Sequence, residues 1–432
     1  MRKLIVHTMG WLLVAAFMVT QVYADAGSPT ALDAVVREVL ENNPELRLYE
    51  AEIAAAQGGR KTAGLWANPE ISGSIGQKRA WNEENELTGK GRAGELSVTQ
   101  QFEWPGRIGL RKAIADRDIE LATLGLEQFR ALIAARAKIA AYELFAAREK
   151  AAATREVADH LLALREVLVQ RGQAGLTPLL ETRVIEAMEL NLQRKAGEAS
   201  LVAQAALFDL NQLRGAAPDA DVSMTQMNLA FHPLEKSRDS LVTLARSNDL
   251  SVRLRTLELA RQGFRVDLAK NEHFPAVSAG PSISEERAGD RERVIGVAVS
   301  LPLPLWNRNQ GNIDVAQAQQ GQAETSLDVA QREAERRVIE STVIYETKLK
   351  EMASWQPDTI QHFREAAELA DRHYRLGAVP VSTYLELQTQ YLETIGGLLD
   401  TKKEAFQAAT QLELLTATAL SLADVIPAEE VR

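Results

Sequence analysis

The side chains that most often bind metals or catalyse reactions are scattered along this sequence of 432 residues. Cysteine is absent, which excludes a disulfide framework, a thiolate nucleophile and a thiolate metal site. His362 and His373 have the spacing of one helix face, but a rise of roughly 16 Å between them prevents them from binding one ion. Neither an H-E-x-x-H motif nor a Walker loop occurs. The sequence therefore predicts no catalytic residue, no metal site and no cofactor, and an enzyme is the least favoured function.

Carboxylates are the charged groups in excess. The chain carries 59 acidic and 49 basic residues, and its formal net charge of −10 argues against a nucleic-acid partner. Carboxylates that face the inside of a tube would attract cations, as the carboxylate rings of cation channels do. A chain without catalytic or metal-binding residues that formed such a tube would be a passive conduit, with any selection among metals made by a partner protein.

The N-terminus has the pattern of a secretory signal peptide. Arg2 and Lys3 precede a short apolar core at residues 11–19. Val22 and Ala24 then supply the small residues that signal peptidases recognise. We predict that residues 1–24 are removed and that the mature chain is exported. The alternative is that this segment forms a buried N-terminal helix.

Four stretches alternate between apolar and small or polar side chains, which is the period of a two-faced β-strand. The clearest begins at Arg293 and ends at a pair of prolines, because proline donates no backbone hydrogen bond. The predicted strands lie near residues 70–79, 94–104, 276–286 and 292–303. At their ends, proline and tryptophan predict a collar where an apolar surface meets water. The collar residues are Trp104, Pro105, Pro302, Pro304 and Trp306.

Long stretches rich in alanine, leucine and glutamate predict helices far longer than those of ordinary globular domains. Residues 107–171 alone would extend roughly 95 Å. The order helix, hairpin, long helix, return helix occurs twice, since Pro69 and Pro275 lie 206 residues apart and Pro178 and Pro380 lie 202 apart. The predicted organisation is a first repeat at 25–214, a linker at 215–240, a second repeat at 241–423 and a tail at 424–432.

This architecture implies that several chains assemble. Strands of about ten residues have the length of tilted membrane strands. Four of them cannot close a barrel, and open sheet edges are not tolerated in lipid. Three chains would supply twelve strands, and their long helices could continue the barrel as a hollow cylinder. A periplasmic coiled-coil scaffold without a pore is the alternative from a different class.

Three stretches resemble the TolC-type outer-membrane efflux proteins. They are SLPLPLWNRNQGNI at 300–313, YRLG at 374–377 and YLELQTQYLE at 384–393. Together with the duplicated plan, the resemblance covers essentially the whole mature chain. The stretch after the fourth strand is most similar to the heavy-metal branch, the cobalt-zinc-cadmium resistance outer-membrane proteins. The resemblance implies a mainly α-helical homotrimer with one twelve-stranded transmembrane β-barrel in the outer membrane and an α-helical barrel in the periplasm.

The resemblance also implies partners and a cargo. The expected partners are outer-membrane lipid, a periplasmic membrane-fusion adaptor protein and an inner-membrane RND transporter driven by proton flow. The expected cargo is divalent heavy-metal cations, and a drug-efflux or type I secretion outlet is the alternative with the same fold. The turns between the long helices are expected to contact the adaptor. Their residues are Arg171, Gly172, Gly175, Arg375 and Gly377.

The resemblance further places a gate just after the second of these turns. Family members narrow the tip with acidic residues six and nine positions beyond the turn glycine. Glu386 keeps a carboxylate at the second position, whereas Thr383 departs from the pattern at the first, so the double acidic ring is not expected here. Glu386 on a solvated helix face is the alternative. Tyr374 matches an aromatic residue that helps to hold the tip closed, and a plain packing role is its alternative.

Overall fold

The computed structural model describes residues 31–173, 179–222, 227–355 and 359–426. The predicted signal peptide and Gly175 lie outside the described residues. The helices are α1 (Ala31–Asn42), α2 (Leu46–Ala63), α3 (Arg107–Gln173), α4 (Leu179–Arg214), α5 (Arg238–Asn248), α6 (Leu250–Asn271), α7 (Gln310–Ala353), α8 (Thr359–Arg375) and α9 (Val381–Thr416). The strands are β1 (Glu70–Trp81), β2 (Leu87–Phe102), β3 (Asn228–Phe231), β4 (Val277–Arg287), β5 (Arg291–Ser300) and β6 (Ala423–Ile426).

The order of these elements confirms the duplicated plan. Two short helices, a β-hairpin, a long helix and a return helix occur in the first repeat and again in the second. The long helix predicted from Asn312 to Arg375 is divided into α7 and α8. Pro357, where a kink was expected, lies outside the described residues.

Each repeat opens with two helices that break at an asparagine, and this residue ties the break to the end of the return helix. Asn43 donates from Nδ2 to the carbonyl oxygen of Leu213 at 2.8 Å, and Asn248 donates to that of Thr416 at 3.1 Å. The last carbonyls of a helix lack partners within it, so the two amides satisfy equivalent groups in the two repeats.

The core lies between the long helices, with α3 and α9 in the middle. The α3 helix packs against α2, α4, α6 and α9, and it buries Ala137, Ala141 and Leu144 completely. Alanine lets neighbouring backbones approach closely, whereas Tyr142 fills the wider space beside Phe406 of α9. Among the described residues, no helix combines the length and apolar character needed to cross a membrane.

The four long strands form one antiparallel sheet in the order β1-β2-β4-β5. The two hairpins therefore lie side by side, joined through β2 and β4. The β2 strand starts at Leu87, whereas the predicted strand begins near residue 94, because the polar sequence of residues 80–92 is typical of a loop. Glycine at Gly89, Gly91 and Gly94 hid the alternating pattern, because glycine has no side chain to mark a face.

The predicted linker and tail contain a second, smaller sheet that the sequence did not predict. The linker strand β3 pairs antiparallel with β6 near the C-terminus. The hydroxyl of Tyr345 on α7 lies 2.6 Å from the carbonyl oxygen of His232 and 2.7 Å from that of Leu422. Burial raises the pKa of this hydroxyl to about 12, so it stays protonated and fastens both segments to the helices.

Candidate functional site

One face of the large sheet is apolar and exposed. The register aligns Gly73, Leu96, Ile283 and Ile295 in one row across the four strands. Apolar side chains on this face remain open to the surroundings, and Ile75 is 92% exposed. An apolar surface across four strands that none of the described residues covers indicates contact with lipid or with another protein.

The opposite face of the same sheet is polar. Ser72 and Ser97 lie opposite each other, with their Oγ atoms 2.7 Å apart, and the row continues through Ser282. Carboxylates dominate the charge on this face. Four glutamates in the strands point to this side, together with one lysine: Glu70, Glu95, Glu286, Glu292 and Lys78. The polar face therefore carries a net charge of −3 per chain.

Lys78 connects the two hairpins on the polar face. It lies opposite Gly91, and the missing side chain there lets the ammonium group reach over β2. The group pairs with Glu286 and lies 3.6 Å from Glu292. This cluster could not be predicted from the sequence, because residues 80–92 have the polar composition of a loop, whereas the pairing of Lys78 with Gly91 requires a strand there.

The sheet has two free edges, and so does the layer of helices. Among the described residues, β1 and β5 each pair on one side only, and they run antiparallel to each other. The flanking helices also expose apolar side chains. These are Leu190, Leu201 and Val202 on α4, and Val315, Val329 and Val343 on α7.

The collar predicted at the strand ends joins the two repeats. Trp104 stacks on Phe274 with ring centroids 4.7 Å apart and planes 12° from parallel. Arg107 donates to the carbonyl oxygen of Phe274 at 2.6 Å and to Asn271 Oδ1 at 3.1 Å. Asn271 in turn donates to the carbonyl oxygen of Pro105 at 3.0 Å. The collar is thus a fixed junction between the sheet and the helices.

The other half of the collar is more exposed. Pro302 is exposed and Pro304 half-buried, and Trp306 presents 89% of its surface. Leu301, Leu303 and Leu305 are exposed beside them. Indole rings favour the boundary between apolar and aqueous surroundings, because they combine a large apolar body with one N–H donor.

The turn between α8 and α9 has a defined shape. Gly377 has a φ of 73°, a backbone conformation that favours glycine. Its N–H donates to the carbonyl oxygen of Tyr374, and the N–H of Ala378 donates to the carbonyl oxygen of His373. This is a Schellman motif, which satisfies the last carbonyls of α8. Arg375 is half-buried, with Nε 2.8 Å from Asp371 Oδ2.

The opposite turn is only partly described. Arg171 and Gly172 belong to the last turn of α3, and Gly175 lies outside the described residues. The structure therefore positions the backbone of two of these three predicted contact residues.

The predicted gate residues occupy two different environments. Tyr374 is buried and stacks on Tyr384, with ring centroids 5.3 Å apart and planes 11° from parallel. Burial raises the pKa of the Tyr384 hydroxyl above its ordinary value. Glu386 and Thr383 are exposed on α9, three residues apart and therefore on one face. Glu386 accepts a hydrogen bond from Gln390 Nε2 at 3.1 Å.

Some acidic residues elsewhere on the helices are paired with arginine. Glu333 on α7 accepts from both Arg336 and Arg337, and these hydrogen bonds lower the pKa of its carboxyl to about 2. Across the described ranges of the chain, no group of three or more histidine, aspartate or glutamate side chains is placed to hold a metal ion. The arrangement offers a charged surface for ions to pass along.

Comparison with known proteins confirms the resemblance read from the sequence. The family model described as outer membrane efflux protein matches residues 241–418. The nickel-cobalt-cadmium resistance protein NccC of Alcaligenes xylosoxydans xylosoxydans is 24% identical over 330 residues, which are 74% of this chain and 71% of that protein. The cobalt-zinc-cadmium resistance protein CzcC of Cupriavidus metallidurans is 23% identical over 290 residues, 67% of this chain and 66% of that protein.

The fold is also that of a solved channel. The Campylobacter jejuni CmeC outer membrane channel superposes with a TM-score of 0.68, covering 97% of this chain and 94% of that one at 16% identity. The similarity extends through both repeats, including the first, which the family model does not reach.

Proposed function

We infer that this chain, an outer membrane efflux protein by the match of its second repeat and by its fold, is one of three identical subunits of an outer-membrane channel. Its pore would be a passive outlet for divalent heavy-metal cations delivered by a periplasmic adaptor and an inner-membrane RND transporter. The observation that carries the proposal is the two-faced sheet with an apolar side, an acidic side and two free edges.

The free edges support closure by other copies. The sheet has an even number of strands that alternate in direction, so its two edge strands, β1 and β5, run antiparallel. The β5 strand of one copy can therefore form an antiparallel pair with β1 of the next copy, as all neighbouring strands do within the chain. Contacts of this head-to-tail kind generate closed rings. Three copies of the four-stranded sheet give a twelve-stranded barrel, with the apolar face toward lipid and no unpaired edge.

The acidic face supports a preference for cations. Closure turns each glutamate on that face into a threefold ring, and rings of carboxylates raise the local concentration of cations. Glu95 is flanked by Ser74 and Ser284 in the register, so its charge has no basic partner within the row.

The heavy-metal cargo is supported by the relatives. NccC and CzcC are named as resistance proteins for nickel, cobalt, zinc and cadmium. A passive outlet needs no binding site of its own, so the choice among metals falls to the transporter. The adaptor would contact the helix tips at Arg171, Gly172, Gly175, Arg375 and Gly377.

Planar-bilayer recording tests the channel. We expect detergent-extracted protein to form pores whose reversal potential in a KCl gradient indicates more cation than anion permeability. The double variant Glu95→Gln/Glu292→Gln should lower that ratio, on the order of twofold or more, because it removes two carboxylates per subunit. Glu50→Gln/Glu52→Gln on exposed positions of α2 is the matched control. Well-folded protein that forms no pore would refute the channel and favour the scaffold.

Growth of the host tests the cargo separately. Deletion of the gene should lower the tolerated concentration of zinc, cobalt or cadmium salts and leave tolerance of organic drugs unchanged. Sensitivity to drugs alone would refute the metal cargo while leaving the channel in place.

A further inference from the structure

A group of basic residues occupies the end of the sheet that lies farthest from the helices. Two cross-strand pairs consist of like charges, Arg79 opposite Lys90 and Arg287 opposite Arg291. Together with two further arginines they form a cluster that we call the basic girdle. Its members are Arg79, Lys90, Arg92, Arg287, Arg291 and Arg293.

The basic girdle lies on the apolar face. Side chains two residues apart along a strand point to the same side, so Arg79 shares the face of Ile75, and Arg293 shares that of Ile295. The girdle thus borders the apolar surface directly, on the side of the hairpin turns. All six basic side chains are exposed.

The basic girdle lacks enough acidic partners of its own. Glu285 is the carboxylate within it, with oxygens 2.6 Å from Arg291, 2.7 Å from Arg293 and 3.1 Å from Arg287. Within the described part of the chain, Arg79, Lys90 and Arg92 form no ion pair. On the strands, six basic groups and one acid leave a charge of +5 per chain on this face. The adjoining hairpin turns carry four acids that form no ion pair with the girdle among the described residues: Glu83, Glu84, Glu86 and Asp290.

The opposite face at the same level has the reverse charge. Glu286 and Glu292 lie opposite each other there, with Lys78 between them. The positive charge is therefore confined to the apolar face. It does not contact ions that pass along the acidic face. Like charges directly opposite across a sheet are unfavourable, so the paired basic groups favour an anionic ligand between them.

We propose that the basic girdle binds the phosphate groups of anionic lipid headgroups in the membrane leaflet nearest the hairpin turns. Guanidinium groups bind phosphate through two parallel N–H donors, and a basic band beside an apolar band matches the charged and hydrocarbon layers of that leaflet. The proposal rests on the proposed function only in requiring that the sheet lie in a membrane.

Lipid binding to the purified trimer tests the proposal. In uncharged detergent, we expect diphosphorylated lipid A to bind, seen by native mass spectrometry, and to raise the melting temperature of the protein. Phosphatidylcholine should do neither. The triple variant Arg79→Gln/Lys90→Gln/Arg92→Gln removes three basic groups that have no ion-pair partner and should weaken lipid A binding, on the order of tenfold to a hundredfold.

Two controls make the result decisive. The variant Lys61→Gln/Lys195→Gln/Arg332→Gln removes the same charge from exposed helix positions and should bind lipid A as the unmodified chain does. An equal loss of lipid A binding in both variants would show that only the net charge matters, and it would refute the basic girdle as the binding site. If inorganic phosphate at the same phosphate concentration raised the melting temperature equally, the ligand would be a free anion and the lipid proposal would be refuted.

Conductance measured on the same preparations separates this proposal from the proposed function. The triple girdle variant should conduct as the unmodified channel does, because its changes lie outside the pore. Channels that conduct but show no preference for lipid A would refute the basic girdle alone. Failure to form channels would instead refute the function on which it rests.

Discussion

At the scale of single residues, the turn between α8 and α9 has buried aromatic side chains on one side and an exposed carboxylate on the other. Tyr374 and Tyr384 stack inside the helix layer, whereas Glu386 projects from the exposed side of α9. The tyrosines therefore determine how α8 and α9 pack at the turn. The carboxylate lies on the exposed side of α9, where the proposed trimer would bring three tips together.

We predict that Glu386→Ala widens and de-charges the opening at the tip. Single-channel conductance should rise, by roughly twofold, and cation preference should fall, since a threefold carboxylate ring is removed. The matched control is Glu365→Ala on α8. Glu365 accepts a hydrogen bond from Gln361, four residues earlier on its helix, at 2.8 Å. Glu386 likewise accepts one from Gln390, four residues later on its own helix. An unchanged single-channel trace for Glu386→Ala would remove Glu386 from the gate.

At the scale of elements, the α8–α9 turn depends on a backbone conformation that side chains resist. Gly377 adopts a φ of 73° to complete the Schellman motif. We predict that Gly377→Ala loosens this turn, because a Cβ in the left-handed region costs roughly 1–2 kcal/mol. Faster amide hydrogen exchange in the last turn of α8 and the first turn of α9 would be the measured effect.

Gly396→Ala is the internal comparison for this prediction. Gly396 lies within α9, and a Cβ there would meet nothing within 4 Å. Alanine should therefore stabilise the helix by about 0.5–1 kcal/mol and slow exchange around it. Similar exchange rates in the turns of Gly377→Ala and the unmodified chain would show that the motif does not hold the tip.

The same scale shows what the sequence could and could not predict. Alternation and proline punctuation located all four strands of the large sheet, and the two prolines after β5 identified its end. The start of β2 was missed because glycines interrupt the alternation on both faces, Gly89 and Gly91 on the polar face and Gly94 on the apolar face. The β3–β6 pair was missed because each strand has four residues, too few for a periodic signal, and the whole second repeat separates them in the sequence.

The site was predicted unevenly for a related reason. The resemblance indicated the tip positions, but burial of Tyr374 depends on its stacking partner across the turn, which a single position does not reveal. The basic girdle had a signal in the sequence, since Lys90 and Arg92 alternate with glycine and Arg291 and Arg293 flank a glutamate. Only the register of four strands brings these residues onto one face.

At the scale of the whole molecule, the two repeats place an unpaired strand and an exposed helix surface at each end of the chain's sheet and helix layer. The first repeat supplies one end, with β1 and α4, and the second repeat supplies the other, with β5 and α7. At each end, the free strand edge and the apolar helix surface could both be covered by one neighbouring copy of the chain. The proposed ring of identical copies would satisfy both at once.

Cysteine cross-linking between β1 and β5 tests this ring, and the natural absence of cysteine gives it a clean background. We predict that one of four pairs on the polar face, Ser72→Cys or Ser74→Cys with Gly296→Cys or Ala298→Cys, oxidises between copies. Four combinations are needed because the stagger of a closed barrel sets the register between copies. Denaturing gels should then show covalent dimers and trimers and no larger species.

Ser72→Cys/Ser97→Cys calibrates the oxidation, because these positions pair within one chain and should leave a cross-linked monomer. Each single-cysteine variant should stay monomeric on the same gel, since identical positions in a ring are held apart. A ladder that continues beyond three copies would indicate an open chain of subunits rather than a ring. Monomers from all four pairs, beside an efficient Ser72/Ser97 control, would mean that β1 and β5 do not meet, and the twelve-stranded closure would fail with them.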